Sequence, residues 1–180
     1  MNKKYPVKSK KSLKENAKVI LPLMYDDFML YKDRVVNHPR LKLLMHRMRI
    51  TGKPMRYIME IIEPTYDVKF KECLNEIKDI IELMGEIHDC DVNIPELVSF
   101  LYEIRLYNRN IKNKADRFST SGILSLIKEL RNKRKIMFEE LCKTLGSWEK
   151  RDFNSKLLAS MNVNSNVFEM RKIKNRSSVI

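Results

Sequence analysis

Residues 44–62 read LMHRMRITGKPMRYIMEII, and two stripes in this stretch decide what kind of chain surrounds it. Wound at about 100° per residue with His46 at zero, Leu44, Met48, Met55, Met59 and Ile62 fall near roughly 160–220°. That is the apolar face of a helix bound for a core. Arg49, Lys53 and Arg56 fall near roughly 300°, 340° and 280°, so with His46 they share an arc of about 80°. One helix therefore carries a core-facing side and a separate cationic rail. Gly52 and Pro54 predict weakening or a bend beside those cations.

Helical spacing continues on both sides. From Ser12 to Val36 apolar residues recur through Val19, Leu23, Phe28, Leu30 and Val35, with Pro22 predicted to kink or split the run. Asn37-His38-Pro39 reads as a stop and restart, with Pro39 at the first helical position of the segment that ends near Ile62. Glu63-Pro64-Thr65 is the next turn, with Thr65 as N-cap. Val68, Leu74, Ile77, Ile81 and Met84 form the following seam, and Gly85 is placed near its end. Asn93-Ile94-Pro95-Glu96 opens a further helical piece through Leu97, Leu101 and Ile104. Residues 107–118 are polar and basic, a loop. Ser119-Thr120-Ser121 caps a long helix from about Gly122 to Leu145, Gly146 and Ser147 break the chain, and a short helix runs from Trp148 to Met161. The prediction is an all-α antiparallel helical bundle of about four principal helices, with no internal repeat.

The chain divides into a disordered basic lead-in (1–11), a single helical domain (12–162) and a polar, basic tail (163–180). Only 4 Gly and 6 Pro among 180 residues suit such a helical domain, and 43% hydrophobic residues suffice for a core. The net charge of +13 favours a polyanionic partner: nucleic acid, an anionic membrane or polyphosphate. Lys3, Lys4, Lys8, Lys10 and Lys11 at one end, and Arg171, Lys172, Lys174 and Arg176 at the other, supply part of it as solvated tails. Cys73, Cys90 and Cys142 are too widely spaced for a zinc knuckle or a disulfide frame, so reduced, buried thiols in a cytoplasmic protein are expected. Apolar stretches such as Val19 to Tyr25 are too short to cross a bilayer, and the N-terminus lacks the apolar run of a secretory leader.

One residue breaks the pattern of the long C-terminal helix. Leu124, Ile127, Leu130, Phe138, Leu141 and Leu145 make its apolar stripe, yet Arg134 lies in the middle of it, flanked along one edge by Lys128, Arg131 and Lys135. A buried guanidinium needs an anion. Either Arg134 pairs with a bundle glutamate, or it faces the same interior polyanion site as Arg49.

The run from His46 to Tyr57 resembles the signature helix of the CHAD family, the conserved-histidine α-helical domains, whose pattern is roughly H-x-x-R-V/I-x-x-K/R-K/R-L/M-R-Y/A. His46, Arg49, Ile50, Lys53, Met55, Arg56 and Tyr57 fit it. A second family landmark, L-G-x-x-R-D-x-D-V, appears as Met84-Gly85-Glu86-Ile87-His88-Asp89-Cys90-Asp91-Val92. The resemblance implies an all-helical fold with basic residues lining a cavity, non-catalytic binding of inorganic polyphosphate, and association with polyphosphate granules. It makes His46, Arg49, Lys53 and Arg56 phosphate-contacting residues, with Lys78 and His88 on the next helix as further candidates; Arg134, from its place in the stripe of the long helix, and Arg131 beside it are candidates for the same site. No cofactor is implied, and the E-x-E-x-K signature of the triphosphatase domain found fused to relatives does not occur, so no enzymatic activity is expected.

Two departures from the family pattern matter. Pro54 removes one cation, and His88 replaces an arginine, making that contact pH-dependent. Family members commonly carry two related repeats; one signature helix occurs here, so two chains in a twofold dimer would rebuild a symmetric basic cavity. Two competing readings remain. His46, His88-Asp89 and Asp116 or Asp152 mimic the metal constellation of HD-type phosphohydrolases. The charge alone would also suit a nucleic-acid-binding helical protein, although no helix-turn-helix or aromatic platform accompanies it.

Overall fold

The structure, a computed structural model, describes residues 5–163. Every regular element among them is helical: α1 (Leu13–Met29), α2 (Lys32–Asn37), α3 (Lys42–Ile62), α4 (Val68–Arg109), α5 (Ser121–Lys150) and α6 (Phe153–Ser160), with 3₁₀ turns at Glu63–Thr65 and Lys114–Asp116. The tail from residue 164 lies outside the described residues.

Helix α3 packs between α1 and α4, α4 packs on α5, and α6 closes the end of the bundle against α1, α4 and α5. The predicted stripe of α3, from Leu44 through Met48, Met55 and Met59 to Ile62, is buried in the core. It meets Phe28 of α1 and Phe70, Ile77, Ile81 and Met84 of α4 in the same cluster. Unbranched Met fills the irregular space between three helices.

Several predicted breaks do not occur. Helix α1 begins at a capping box, in which Ser12 Oγ accepts from the Glu15 amide and the Glu15 carboxylate accepts from the Ser12 amide. It runs unbroken through Pro22, which is buried beside Leu21, Met24 and Tyr25; the run divides later, at Leu30 and Tyr31. Pro39 sits in a turn, and α3 starts three residues after it. Asp67, not Thr65, caps α4, accepting from the amides of Lys69 and Phe70. That helix continues for 42 residues, through Gly85 and Pro95. A proline interrupts one rung of the ladder, and here Ile94 before it packs on the core and Leu101 after it is buried.

Helix α5 likewise passes Gly146 and Ser147, because Leu145 and Trp148 are buried on either side of them. The chain reverses instead at Asp152, whose φ of 48° is left-handed and whose carboxylate caps α6 by accepting from the Ser155 amide. Glu76 of α4 ties down this corner, accepting from Trp148 Nε1 at 3.0 Å, from Lys156 at 3.2 Å and from Arg151.

Gly52 has a different role from the predicted bend. A Cβ there would lie 2.3 Å from Ile81 Cδ1 and 2.9 Å from Phe28 Cδ2. The bare backbone lets Phe28 of α1 and Ile81 of α4 pack directly on α3, and α3 remains one helix through Gly52 and Pro54.

Residues of the basic lead-in dock on α1. Tyr5 donates to Asp27 at 2.9 Å, the Lys8 amide donates to Asn16 Oδ1, and the buried Asn16 amide returns bonds to the carbonyls of Lys8, Lys11 and Ser12. The thiols of Cys73, Cys90 and Cys142 are free, and burial pushes all three pKa values up.

Candidate functional site: a cationic groove between α3 and α4

Helices α3 and α4 run antiparallel, so the rail of α3 meets α4 as a sequence of rungs. At the first rung the rings of His46 and His88 lie 4.8 Å apart, tilted by 38°. At the second, the guanidinium of Arg49 lies over Gly85, where a Cβ would be only 3.3 Å from Nη2. Lys53 follows one turn on. At the far rung Arg56 Nη1 sits 3.1 Å from Glu82, while its Nε donates to Glu60 at 3.0 Å. Lys78 reaches the same Glu60 at 3.3 Å.

These contacts divide the predicted site residues into two sets. Arg56 and Lys78 already hold carboxylates, and the Arg56 hydrogen bond lowers the Glu60 pKa. Arg134 is also committed: its Nε and Nη2 donate to both oxygens of Asp91, at 2.6 and 3.2 Å, and Nη2 donates to the Pro39 carbonyl at 2.9 Å. Of the two alternatives for Arg134, the structure shows the bundle ion pair, with an aspartate in place of the expected glutamate. Arg131 is exposed on α5 and is not brought into the groove. By contrast, no ion pair with a carboxylate is formed by His46, His88, Arg49 or Lys53 among the described residues.

Two of these four groups are also orphaned. His46 Nδ1 and Arg49 Nε are buried and make no hydrogen bond within the protein. A buried polar atom without a partner costs about 1–3 kcal/mol, so neither side chain is anchored to the protein at that nitrogen. The field is positive here. The His46 pKa is lowered by burial first, then by the neighbouring charges of His88, Arg49 and Lys53.

Beside the histidine pair the groove opens into a depression of about 290 Å³ lined by Lys42, Leu43, His46, His88, Asp91 and Val92. Lys42 reaches the Asp91 side chain at 3.4 Å and donates to its carbonyl at 3.1 Å. Asp91 thus anchors Arg134 and Lys42 at one end, as Glu60 and Glu82 anchor Arg56 and Lys78 at the other. Between these clamps lies an uncompensated segment.

Sequence reasoning missed three participants: Lys42, Gly85 as the seat of Arg49, and Asp91 as the anchor of Arg134. Asp91 carried a legible signal, because it follows Met84 and Ile87 at helical spacing on a buried face. A carboxylate there demands a cation, as Arg134 in the stripe of α5 demands an anion. The HD-type constellation is not assembled. Asp116 lies in the turn after α4, Asp152 caps α6, and no group of three or more His, Cys, Asp or Glu among the described residues is placed to hold a metal. No helix among them is long and apolar enough to cross a membrane.

A family model described as CHAD domain matches residues 8–98, which span α1 to α3 and most of α4. No curated protein and no solved structure matches the chain.

Proposed function

The chain belongs to the CHAD domain family, and on that premise we propose that its groove binds inorganic polyphosphate without catalysing a reaction on it. The observation that carries this reading is the uncompensated set His46, His88, Arg49 and Lys53, with two buried nitrogens lacking protein partners. Polyphosphate offers a repeating row of anionic oxygens and no base edges. A spaced row of cations suits it, with Arg49 able to grip two oxygens and Lys53 acting as a point charge.

In this reading Arg56, Lys78 and Arg134 set the ends of the groove, their charges largely spent on carboxylates, and Arg131 contributes only to the long-range field. The reading includes residence on polyphosphate granules and a second copy of the chain, whose rail would complete the wall that α3 leaves open. Nucleic acid is the competing polyanion.

Titration of long-chain polyphosphate against wild type and an Arg49→Gln/Lys53→Gln variant, with DNA and RNA at matched charge and salt, tests it. The expected result is tight binding of polyphosphate by the wild type, weaker binding of both nucleic acids, and a large loss in the variant. Equal binding by the variant would assign the affinity to the basic termini and overturn the proposal.

A further inference from the structure

The outer half of the α4–α5 hairpin is a two-helix arm. Between Val92 and Ile136 only Leu101 and Ile127 are buried. Near the tip Asn108 donates to the Phe118 carbonyl and accepts from its amide, both at 2.9 Å. Two helices bury the seam between them and leave both flanks open.

Charge is segregated between these flanks. With Leu101 at zero, Val98, Tyr102, Arg105 and Arg109 of α4 fall at about 40–100°. With Ile127 at zero, Leu124, Lys128, Arg131 and Lys135 of α5 fall in the same arc. Equal rotations from the seam of an antiparallel pair point to the same side, so all eight share one flank. All are exposed, Val98 at 41%, Tyr102 at 62% and Leu124 at 43%. The opposite arc, about 200–260°, takes Glu96, Glu103 and Glu129, the only acids in these two helical segments. Lys133, on that acidic side, meets Glu86 at 2.9 Å. The first flank therefore carries five cations and no carboxylate. Arg105, Arg109, Lys128 and Arg131 form no ion pair with a carboxylate among the described residues, and Lys135 comes no nearer to Glu139 than 3.9 Å.

We propose that this flank docks an acidic amphipathic helix of another protein, which lies along the arm as its third helix. The apolar side chains select that occupant. Val98 and Tyr102 stand one turn apart on α4. The hairpin register, fixed by Arg134 on Asp91 and Asn108 on Phe118, sets Leu124 across from them. Arg105 and Arg109 follow toward the tip, and Lys128, Arg131 and Lys135 toward the bundle. A bare polyanion satisfies the cations but leaves three hydrophobic side chains against charged oxygens. A second copy of the chain brings its own net charge of +13. A helix with Leu or Phe at spacings of three and four, and Glu or Asp on either side of that stripe, covers both kinds of group. The flank runs about 16 Å from Val98 to Arg109, the length of about three helical turns. It lies outside the groove between α3 and α4 and is independent of the groove's ligand.

Fluorescence anisotropy with the full chain and a synthetic peptide of about 14 residues, Leu at spacings of three and four and Glu beside them, tests the proposal. An oligoglutamate of equal charge, duplex DNA and phosphatidylglycerol vesicles are titrated in parallel. The expected result is saturable peptide binding, with oligoglutamate much weaker. Two variants, Tyr102→Ser/Leu124→Ser and Arg105→Glu/Lys128→Glu, should each weaken peptide binding about tenfold. Both should melt like the wild type, since all four positions are exposed. No binding of the peptide, equal binding of oligoglutamate, or unchanged affinity in either variant overturns the proposal. So does a larger loss of DNA or vesicle binding than of peptide binding in these variants, which would give the flank to that surface instead.

Discussion

The guanidinium of Arg49 on α3 rests against the bare backbone of Gly85 on α4, with Nη2 only 3.3 Å from where a Cβ would stand. A signature residue of one helix is thereby seated by a landmark residue of the next. Gly85 also costs α4 about 1 kcal/mol relative to alanine, so the position favours access over helix stability. Gly85→Ala is therefore expected to keep or slightly raise the stability in chemical denaturation. The same substitution should lower polyphosphate affinity several-fold by pushing the guanidinium outward. A variant both less stable and unchanged in binding would refute this link.

The clamps predict an ordering among the cations. Lys53 has no carboxylate partner among the described residues, whereas Lys78 shares Glu60 with Arg56. Lys53→Ala should weaken polyphosphate binding by about tenfold, or 1.4 kcal/mol, and Lys78→Ala by much less. Titration calorimetry at a single salt concentration checks the difference. Wild-type affinity should fall about a hundredfold between 50 and 200 mM salt, as expected for about four neutralised phosphates.

Asp91 is a stability residue with a defined partner. Its side chain is 3% exposed, that of Arg134 18%, and the pair is bidentate. Asp91→Ala should cost about 3 kcal/mol, since Arg134 would lose its carboxylate but keep the Pro39 carbonyl and some water. Replacing both partners, Asp91→Leu with Arg134→Met, should recover most of that loss. Urea denaturation of the single and double variants measures both effects.

Opposing pH dependences of stability and binding are expected from His46. The folded-state pKa of His46 lies below its ordinary value, chiefly through burial and then through His88, Arg49 and Lys53. The unfolded chain then binds more protons between the two pKa values. The His46 contribution to stability is full above the ordinary histidine pKa and is lost as pH falls through that window. Polyphosphate favours the protonated His46 ring, so binding should strengthen over the same range. Thermal melts from pH 8 to pH 5.5 should show wild type losing more stability than His46→Asn without ligand. Added polyphosphate should reduce or reverse that difference.

Much of α3 was legible because helix periodicity is local. Its core stripe and its rail both follow from rotation along one helix. The all-helical class was legible for the same reason. The breaks expected at Pro22, at Gly85 to Pro95 and at Gly146 were not, since local propensity disfavours helix there and only packing overrides it. Leu21, Met24 and Tyr25 hold the first, Ile87, Ile94 and Leu101 the second, and Leu145 and Trp148 the third.

What the sequence by itself determined is therefore which residues share a face, a matter of rise and rotation. Only the tertiary structure decided which cations stay free, because the neutralising carboxylates come from other helices. Glu82 crosses to Arg56 and Asp91 crosses to Arg134, while opposite Arg49 there is only a glycine. Charge compensation depends on distances of about 3 Å between residues far apart in the chain, and no linear pattern encodes those distances.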